Sequence, residues 1–431
     1  MKNNLKVLTI TFFSIVVVYF IDFYFLENYY NQQFWCVEII KDFKIYNLNN
    51  IRLPIHCDEG PYQFAITSID NFFNETNPYQ GRPLFILILS SLNNLFSFVN
   101  FLNLSSYEIY KLSMLIVQVS IIFLIIKIFI SLMKIKSFDN REYLLILLLI
   151  SIPSLRWNIF LASVGNLPFL LFLISLDYLM RGNFQKKDTT NIFLLYGLFS
   201  LAHLSSIIYG LIILLYIFIN QKKIQFKDVF LNLIFLLGFQ SFYRFIIYLS
   251  PYDYFDWNRD VYNQFYWILS AFDPENSANC QTLSTFLKCN NVVTFSYIGY
   301  FSILIFYFFC MTVLINYLKI DIPKIIKLSL YINFVIFIFW SLQGLYEPFR
   351  FVNYSIGYFF FFSCIVYVFT FRKDITLIFS LLFYNFSIYY LEPYNTALDS
   401  PQINVLTAIS FLTFLMFVFK QSTTNFQKKD N

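Results

Sequence analysis

An all-helical membrane protein is the fold class this sequence predicts, and three observations carry it. Mean hydropathy is +0.61, only 13% of residues are charged, and apolar runs recur along the whole 431-residue chain between short basic stretches. A soluble domain carries about 25% charged residues, and a bilayer is crossed by roughly 20 apolar ones. Lipid is therefore the expected main solvent. The aromatic surplus, 58 Phe and 33 Tyr, accompanies abundant Ile, Asn and Lys and only 10 Gly, the pattern of AT-rich codons, and carries no functional argument. The net charge of +5 sits mostly in connecting loops, where it sets topology, so no nucleic-acid partner is expected.

Two lysines precede an apolar run from Val7 to Phe25 with no small-residue cleavage site after it, which predicts a retained first span and not a signal peptide. Basic clusters then recur at Lys134/Lys136/Arg141, Arg181/Lys186/Lys187, Lys222/Lys223/Lys227, Lys319/Lys324/Lys327, Arg372/Lys373 and Lys420/Lys428/Lys429. The positive-inside rule places all of them in the cytoplasm, which gives about twelve crossings in a single domain with both termini cytoplasmic. Two large outer loops follow, 27–82 and 251–291, with tight outer reversals near Arg156, His203 and Glu347 and a shorter loop from Leu391 to Gln402. The spans beside the tight reversals are short, so their polar apices are expected below the outer surface, flooring a water-filled cavity. The apolar stretch Leu84–Leu104 has no basic loop before the next span and is expected to be interfacial, since another crossing there would invert every later basic loop. Cysteines placed singly near Asn183 should be protected from an impermeant outside thiol reagent and those near Asn279 should react; the reverse pattern would overturn this topology.

The native cysteines agree with that division. Cys36 and Cys57 fall in the first outer loop, Cys280 and Cys289 in the second, Cys310 and Cys364 within spans, and none in a cytoplasmic loop. On an oxidising face the four outer residues are candidates for two disulfides, or remain free thiols.

Chemistry concentrates in the first outer loop, which reads His56-Cys57-Asp58-Glu59-Gly60-Pro61-Tyr62 and then Asn77-Pro78-Tyr79-Gln80-Gly81-Arg82-Pro83-Leu84-Phe85. Adjacent carboxylates at a membrane surface can take a proton from an acceptor hydroxyl, or hold a divalent cation (Mg or Mn) against a phosphate. The plain alternative is a solvated loop pair. Arg156, Arg244 and Arg350 lie at or near outer reversals, where repeated positive charge suits an anionic substrate, because guanidinium groups bind phosphate oxygens bidentately. Snorkelling to headgroups, or pairing with an acid such as Glu347, is the alternative for each. His203 is one of two histidines, and a packing role competes there with an acid-base one. The acids and aromatics from Tyr252 to Glu275 suit either glycan contacts or an ordinary lid.

An Asp-Glu pair shortly before a Tyr, then an Arg-Pro-Leu-Phe opening an apolar helix, resembles the GT-C glycosyltransferases. That likeness implies a polyprenyl-phosphate-linked sugar donor, Asp58 or Glu59 as base or metal-linked carboxylate, and Arg82 near the lipid phosphate. It departs from the family at the next reversal, where Arg156-Trp157-Asn158-Ile159 through Gly165-Asn166-Leu167 holds no acid. A second likeness is to exopolysaccharide and O-antigen polymerases, through Arg52 with Asp58 and Tyr62, then Arg156, then His203-Leu204-Ser205-Ser206, then Arg350 with Tyr354. Both imply a membrane glycosyltransferase acting on a glycan or lipid-linked acceptor at the outer face. Asp58, Glu59 and His203 would be catalytic, and Arg82, Tyr62, Arg156, Arg350 and Arg244 would bind substrate. The competing classes are a transporter or flippase of a lipid-linked glycan, expected to show midplane polar groups and inverted repeats, and a non-catalytic assembly subunit.

Overall fold

The computed structural model describes residues 2–20, 41–45, 48–53, 59–74, 77–99, 104–135, 140–160, 164–180, 186–220, 225–251 and Leu382. In chain order the helices are α1 (Lys2–Phe20), α2 (Glu59–Ala65), α3 (Ile69–Phe72), α4 (Pro83–Val99), α5 (Ser106–Leu132), α6 (Asn140–Ile150), α7 (Pro153–Phe160), α8 (Asn166–Met180), α9 (Lys186–Ser200), α10 (Ser205–Asn220) and α11 (Phe226–Leu249). A 3-10 turn, Pro78–Gly81, precedes α4. The exception to helix among the described residues is one antiparallel hairpin, β1 (Lys41–Ile45) with β2 (Leu48–Leu53), in which Lys41 faces Leu53 in the ladder. Contacts divide the chain into two compact units, Met1–Phe138 with Ser154–Trp257, and Asp139–Pro153 with Asn258–Asn431. The second unit contributes α6 and Pro153, and all the other elements belong to the first.

Local chemistry sets the element boundaries. Ser105 caps α5, its hydroxyl accepting from Glu108 N at 3.3 Å while Glu108 Oε2 accepts from Ser105 N at 2.7 Å, so orphan amides at the helix start are satisfied reciprocally. That helix ends where Lys134 turns left-handed (φ 52°) and Ile135 N donates to Ile130 O at 3.1 Å. Ser68 caps α3 by accepting from Asn71 N at 3.0 Å. Asn77 Oδ1 accepts from Tyr79 N at 3.0 Å, opening the turn that delivers Pro83 to the first position of α4, where its missing N–H costs nothing.

In the first unit α5 packs on α8, α4 and α1, α9 packs on α11, α10 and α8, and α10 also packs on α8 and α11. The α8 helix is apolar on nearly all sides and is buried from Asn166 to Leu173, as an all-round hydrophobic helix must be. By length and composition α5 (27 residues) and α11 (24 residues) can each cross a membrane. Only 33% and 22% of their most apolar windows are buried, whereas a soluble core helix would be mostly buried. On α11 the rings of Phe226, Phe230, Phe242, Phe245 and Tyr248 face outwards, and hydrocarbon is the medium that solvates such a surface without cost.

The α9 and α11 backbones approach closely at Gly197. A Cβ there would lie 2.0 Å from the Phe235 carbonyl oxygen, and one at Gly210 would lie 2.5 Å from Leu236 Cδ1, so small residues set the spacing as they do between membrane helices. Gly197→Ala should therefore force the helices apart and cost about 1–3 kcal/mol by overpacking. A thermal melt in detergent checks this, and an unchanged midpoint would show that the pair is less tightly fitted.

Ser131 Oγ donates to Asp177 Oδ1 at 3.3 Å, bringing together the C-terminal ends of α5 and α8. In the sequence, the connections after α5, between α8 and α9, and between α10 and α11 carry Lys134, Arg181 and Lys222. At the opposite end α9 and α10 reverse through Leu201–Leu204, a tight turn at His203 as expected. Near Arg156 the sequence suggested a tight reversal, and the structure instead places the helix α7 there. Pro153 starts it, and Asn166 Nδ2 ties it down by donating to Leu155 O at 3.3 Å.

Candidate functional site

The end of the first loop forms an aromatic cradle. Tyr62, on α2, stacks on Tyr79 of the 3-10 turn with ring centroids 4.0 Å apart and meets Phe85 of α4 edge-on at 5.4 Å. The Arg82 guanidinium carbon lies 4.8 Å from the Tyr79 ring centroid and 5.7 Å from that of Tyr62, and Arg82 Nη1 donates to Tyr62 Oη. Cation–π contact and a hydrogen bond together hold the orientation of the guanidinium fork. The turn beneath it is braced, since Asn77 Nδ2 donates to Phe72 O at 2.9 Å and Gln80 Nε2 donates to Asn74 O.

Two contacts attach this cradle to the helix bundle. Leu84 N donates to Leu201 O at 3.1 Å, and Tyr243 Oη donates to Gln80 O at 2.7 Å. Leu84 is two residues after Arg82 and Leu201 two before His203, so the Cα atoms of Arg82 and His203 are at most about 20 Å apart. The second contact brings in the end of α11 that carries Arg244. Three predicted site residues from separate stretches, Arg82, His203 and Arg244, with Tyr62 beside the first, therefore share one end of the first unit.

His203 is buried, and its Nδ1 accepts from Ser205 N at 3.3 Å and lies 2.5 Å from Ser205 Oγ. An accepting Nδ1 leaves the proton of the neutral ring on Nε2, a tautomer assigned from the hydrogen-bond pattern. The turn is also recessed. Gly210 meets Leu236, so in these antiparallel helices the level seven residues onward pairs His203 with Tyr243, and α11 continues six residues further to Leu249, about 9 Å. The His203 turn thus lies below the end of its neighbouring helix α11.

Arg156 lies fully buried on α7, and Gly165 packs so closely on Asn158 that a Cβ there would fall 2.8 Å from Asn158 Nδ2. Glu59 is the first residue of α2, one helical turn before Tyr62, and its backbone alone is described. Asp58, His56, Arg350, Cys36, Cys57, Cys280 and Cys289 lie outside the described residues, as does the loop from Tyr252 to 291. Among the described residues no cluster of His, Cys, Asp and Glu could hold a metal ion.

Sequence reasoning missed two groups. Tyr79 gave no signal among so many tyrosines. Asn232 and Gln240 are buried within α11, and Asn232 Oδ1 and both amide atoms of Gln240 make no hydrogen bond among the described residues. Their signal was the spacing Asp228, Asn232, Leu236, Gln240, Arg244, one ridge of a helix at intervals of four. Comparisons of the chain with protein-family models, with characterised proteins and with solved structures find no match.

Proposed function

We propose that this chain is a multi-pass membrane glycosyltransferase that moves a sugar or oligosaccharide from a polyprenyl-linked donor to a glycan or lipid-linked acceptor at the outer face. The observation that supports this most is the aromatic-clamped Arg82 joined, through Leu84 and Leu201, to the recessed His203–Ser205 turn. A fixed guanidinium suits the donor phosphate. An imidazole at this turn suits a partly negative leaving oxygen as a hydrogen-bond donor. Asp58 or Glu59, a turn before Tyr62, would take the proton of the acceptor hydroxyl. The bond between the sugar's anomeric carbon and the phosphate oxygen breaks, the acceptor oxygen bonds to that carbon, and the polyprenyl phosphate departs with its charge held by Arg82, Arg244, Arg156 and Arg350. A divalent cation, if used, would sit on the acidic pair. In this reading the termini and the basic connections are cytoplasmic, and both large loops face outwards.

A transporter or flippase of a lipid-linked glycan is the second reading. The buried amides Asn232 and Gln240, well inside a membrane-length helix, favour it, because intramembrane polar groups mark substrate paths. The two readings separate on chemistry. Purified protein in liposomes should release polyprenyl phosphate from a sugar-linked polyprenyl phosphate if it is a transferase. It should leave that bond intact and move the lipid between leaflets if it is a transporter.

A further inference from the structure

The strongest unexplained feature of the described region is a pair of buried polar groups beneath the His203 turn. Ser206, on α10, is fully buried and its Oγ makes no hydrogen bond among the described residues; Gln240, on α11, is 4% exposed and both its amide atoms are likewise without one. Their relative level follows from the packing. Gly210 and Leu236 face each other, with Leu236 Cδ1 filling the space that a Cβ at Gly210 would need. The helices are antiparallel, so one turn towards the His203 end takes Gly210 to Ser206 and Leu236 to Gln240, on the same facing stripes and about 6 Å along. One further turn on α11 reaches Arg244, level with the turn that holds His203. Below, the Leu236–Gly210 contact forms a floor, and on the α9 side Phe239 Cδ2 would lie 3.0 Å from a Cβ at Gly197.

Buried donors and acceptors without partners are rare in folded proteins and costly where no water can reach them, so their retention needs a reason. The pair is uncharged, offers an amide donor, an amide acceptor and a hydroxyl, and lies directly under cationic and imidazole groups. We propose that Ser206 and Gln240 form the subsite for the sugar of the lipid-linked substrate, binding its hydroxyl groups while the phosphate stays one turn above at the Arg244 and His203 level. Neutral hydroxyls need both donors and acceptors at short range, which a carboxamide and a hydroxyl supply and a guanidinium does not. This subsite rests on the polyprenyl-linked donor of the proposed function.

The test uses the full chain in lipid nanodiscs, with farnesyl phosphate and its glucosyl, galactosyl and N-acetylglucosaminyl derivatives as probes. The wild-type melting temperature should rise with farnesyl phosphate, and at least one sugar derivative should add about 2 °C or more. Gln240→Leu and Ser206→Ala should each raise the ligand-free melting temperature, since an unpartnered polar group is removed, and should abolish the extra sugar-dependent shift while keeping the farnesyl phosphate shift. Ser113→Ala, which removes a buried hydroxyl of α5 that donates to Ile109 O at 2.9 Å, is the control and should keep the sugar-dependent shift. A lower ligand-free melting temperature in both Gln240→Leu and Ser206→Ala would show that the groups bond each other or another part of the chain, and would overturn the subsite. A sugar-dependent shift that survives in both variants would overturn it too and leave the donor reading standing, as would a wild-type shift with farnesyl phosphate that no sugar enlarges. Absence of any shift in the wild type would overturn the subsite together with the donor reading.

Discussion

Glycan output in a strain lacking the native gene should fall by about two orders of magnitude or more when Asp58→Asn or Glu59→Gln removes the acting base, the usual scale for losing a positioned general base. Each change keeps size and most hydrogen bonding, so expression and thermal stability should stay near wild type. The two residues are adjacent and Glu59 begins the helix that carries Tyr62 into the cradle, so either could be the acting base, and the single variants must be compared with the double one. If the loss follows one single variant and the double adds nothing, that carboxylate is the base. Normal output from all three would remove catalysis from this loop and leave it a lid, with the transporter reading preferred.

The second large effect is expected at Arg82. Arg82→Lys keeps the charge but loses the planar fork, its hydrogen bond to Tyr62 and its fit over the Tyr79 ring. A hydrogen bond to a charged group contributes about 1.5–3 kcal/mol, so affinity for a polyprenyl phosphate should drop roughly ten- to hundredfold. Tyr62→Phe should show a smaller loss, because the ring stack remains while the hydroxyl goes. Binding of farnesyl phosphate to the protein in nanodiscs, measured by thermal shift across a titration, checks both. Equal affinity in wild type and Arg82→Lys would place the phosphate elsewhere, among Arg156, Arg244 and Arg350.

Where the sequence predicted this fold well, one strong physical signal acted alone. The apolar run of α5 ends at basic residues and starts at a capping Ser-x-x-Glu, so its position was legible to within a few residues. The His203 turn was legible because short apolar stretches flank it. The helix α7 was not, because eight residues beginning at a proline read as a turn when length is the guide. Hydropathy also hid the amides of α11. Averaged over a window, Asn232 and Gln240 vanish among Leu and Phe neighbours, and only the four-residue spacing on a helix with few other buried residues brings them out.

Site legibility divides along similar lines. Arg82 and Tyr62 were singled out through the resemblance to GT-C glycosyltransferases and polysaccharide polymerases, and the cradle forms where Pro83 starts a helix directly after Arg82. Tyr79 completes the cradle and could not be chosen from sequence, since 33 tyrosines dilute any single one. That the first loop reaches the His203 turn depends on the Leu84–Leu201 backbone contact, a long-range pairing that no local pattern encodes.

The most direct test of the central claim is a transfer assay with purified protein in liposomes, supplied with radiolabelled sugar-linked polyprenyl phosphates and a glycan or lipid-linked acceptor. Polyprenyl phosphate should be released in step with label appearing on the acceptor, at a rate that falls about a hundredfold or more in the Asp58→Asn, Glu59→Gln double variant. Intact donor that crosses from one leaflet to the other at the same rate in wild type and double variant would contradict it.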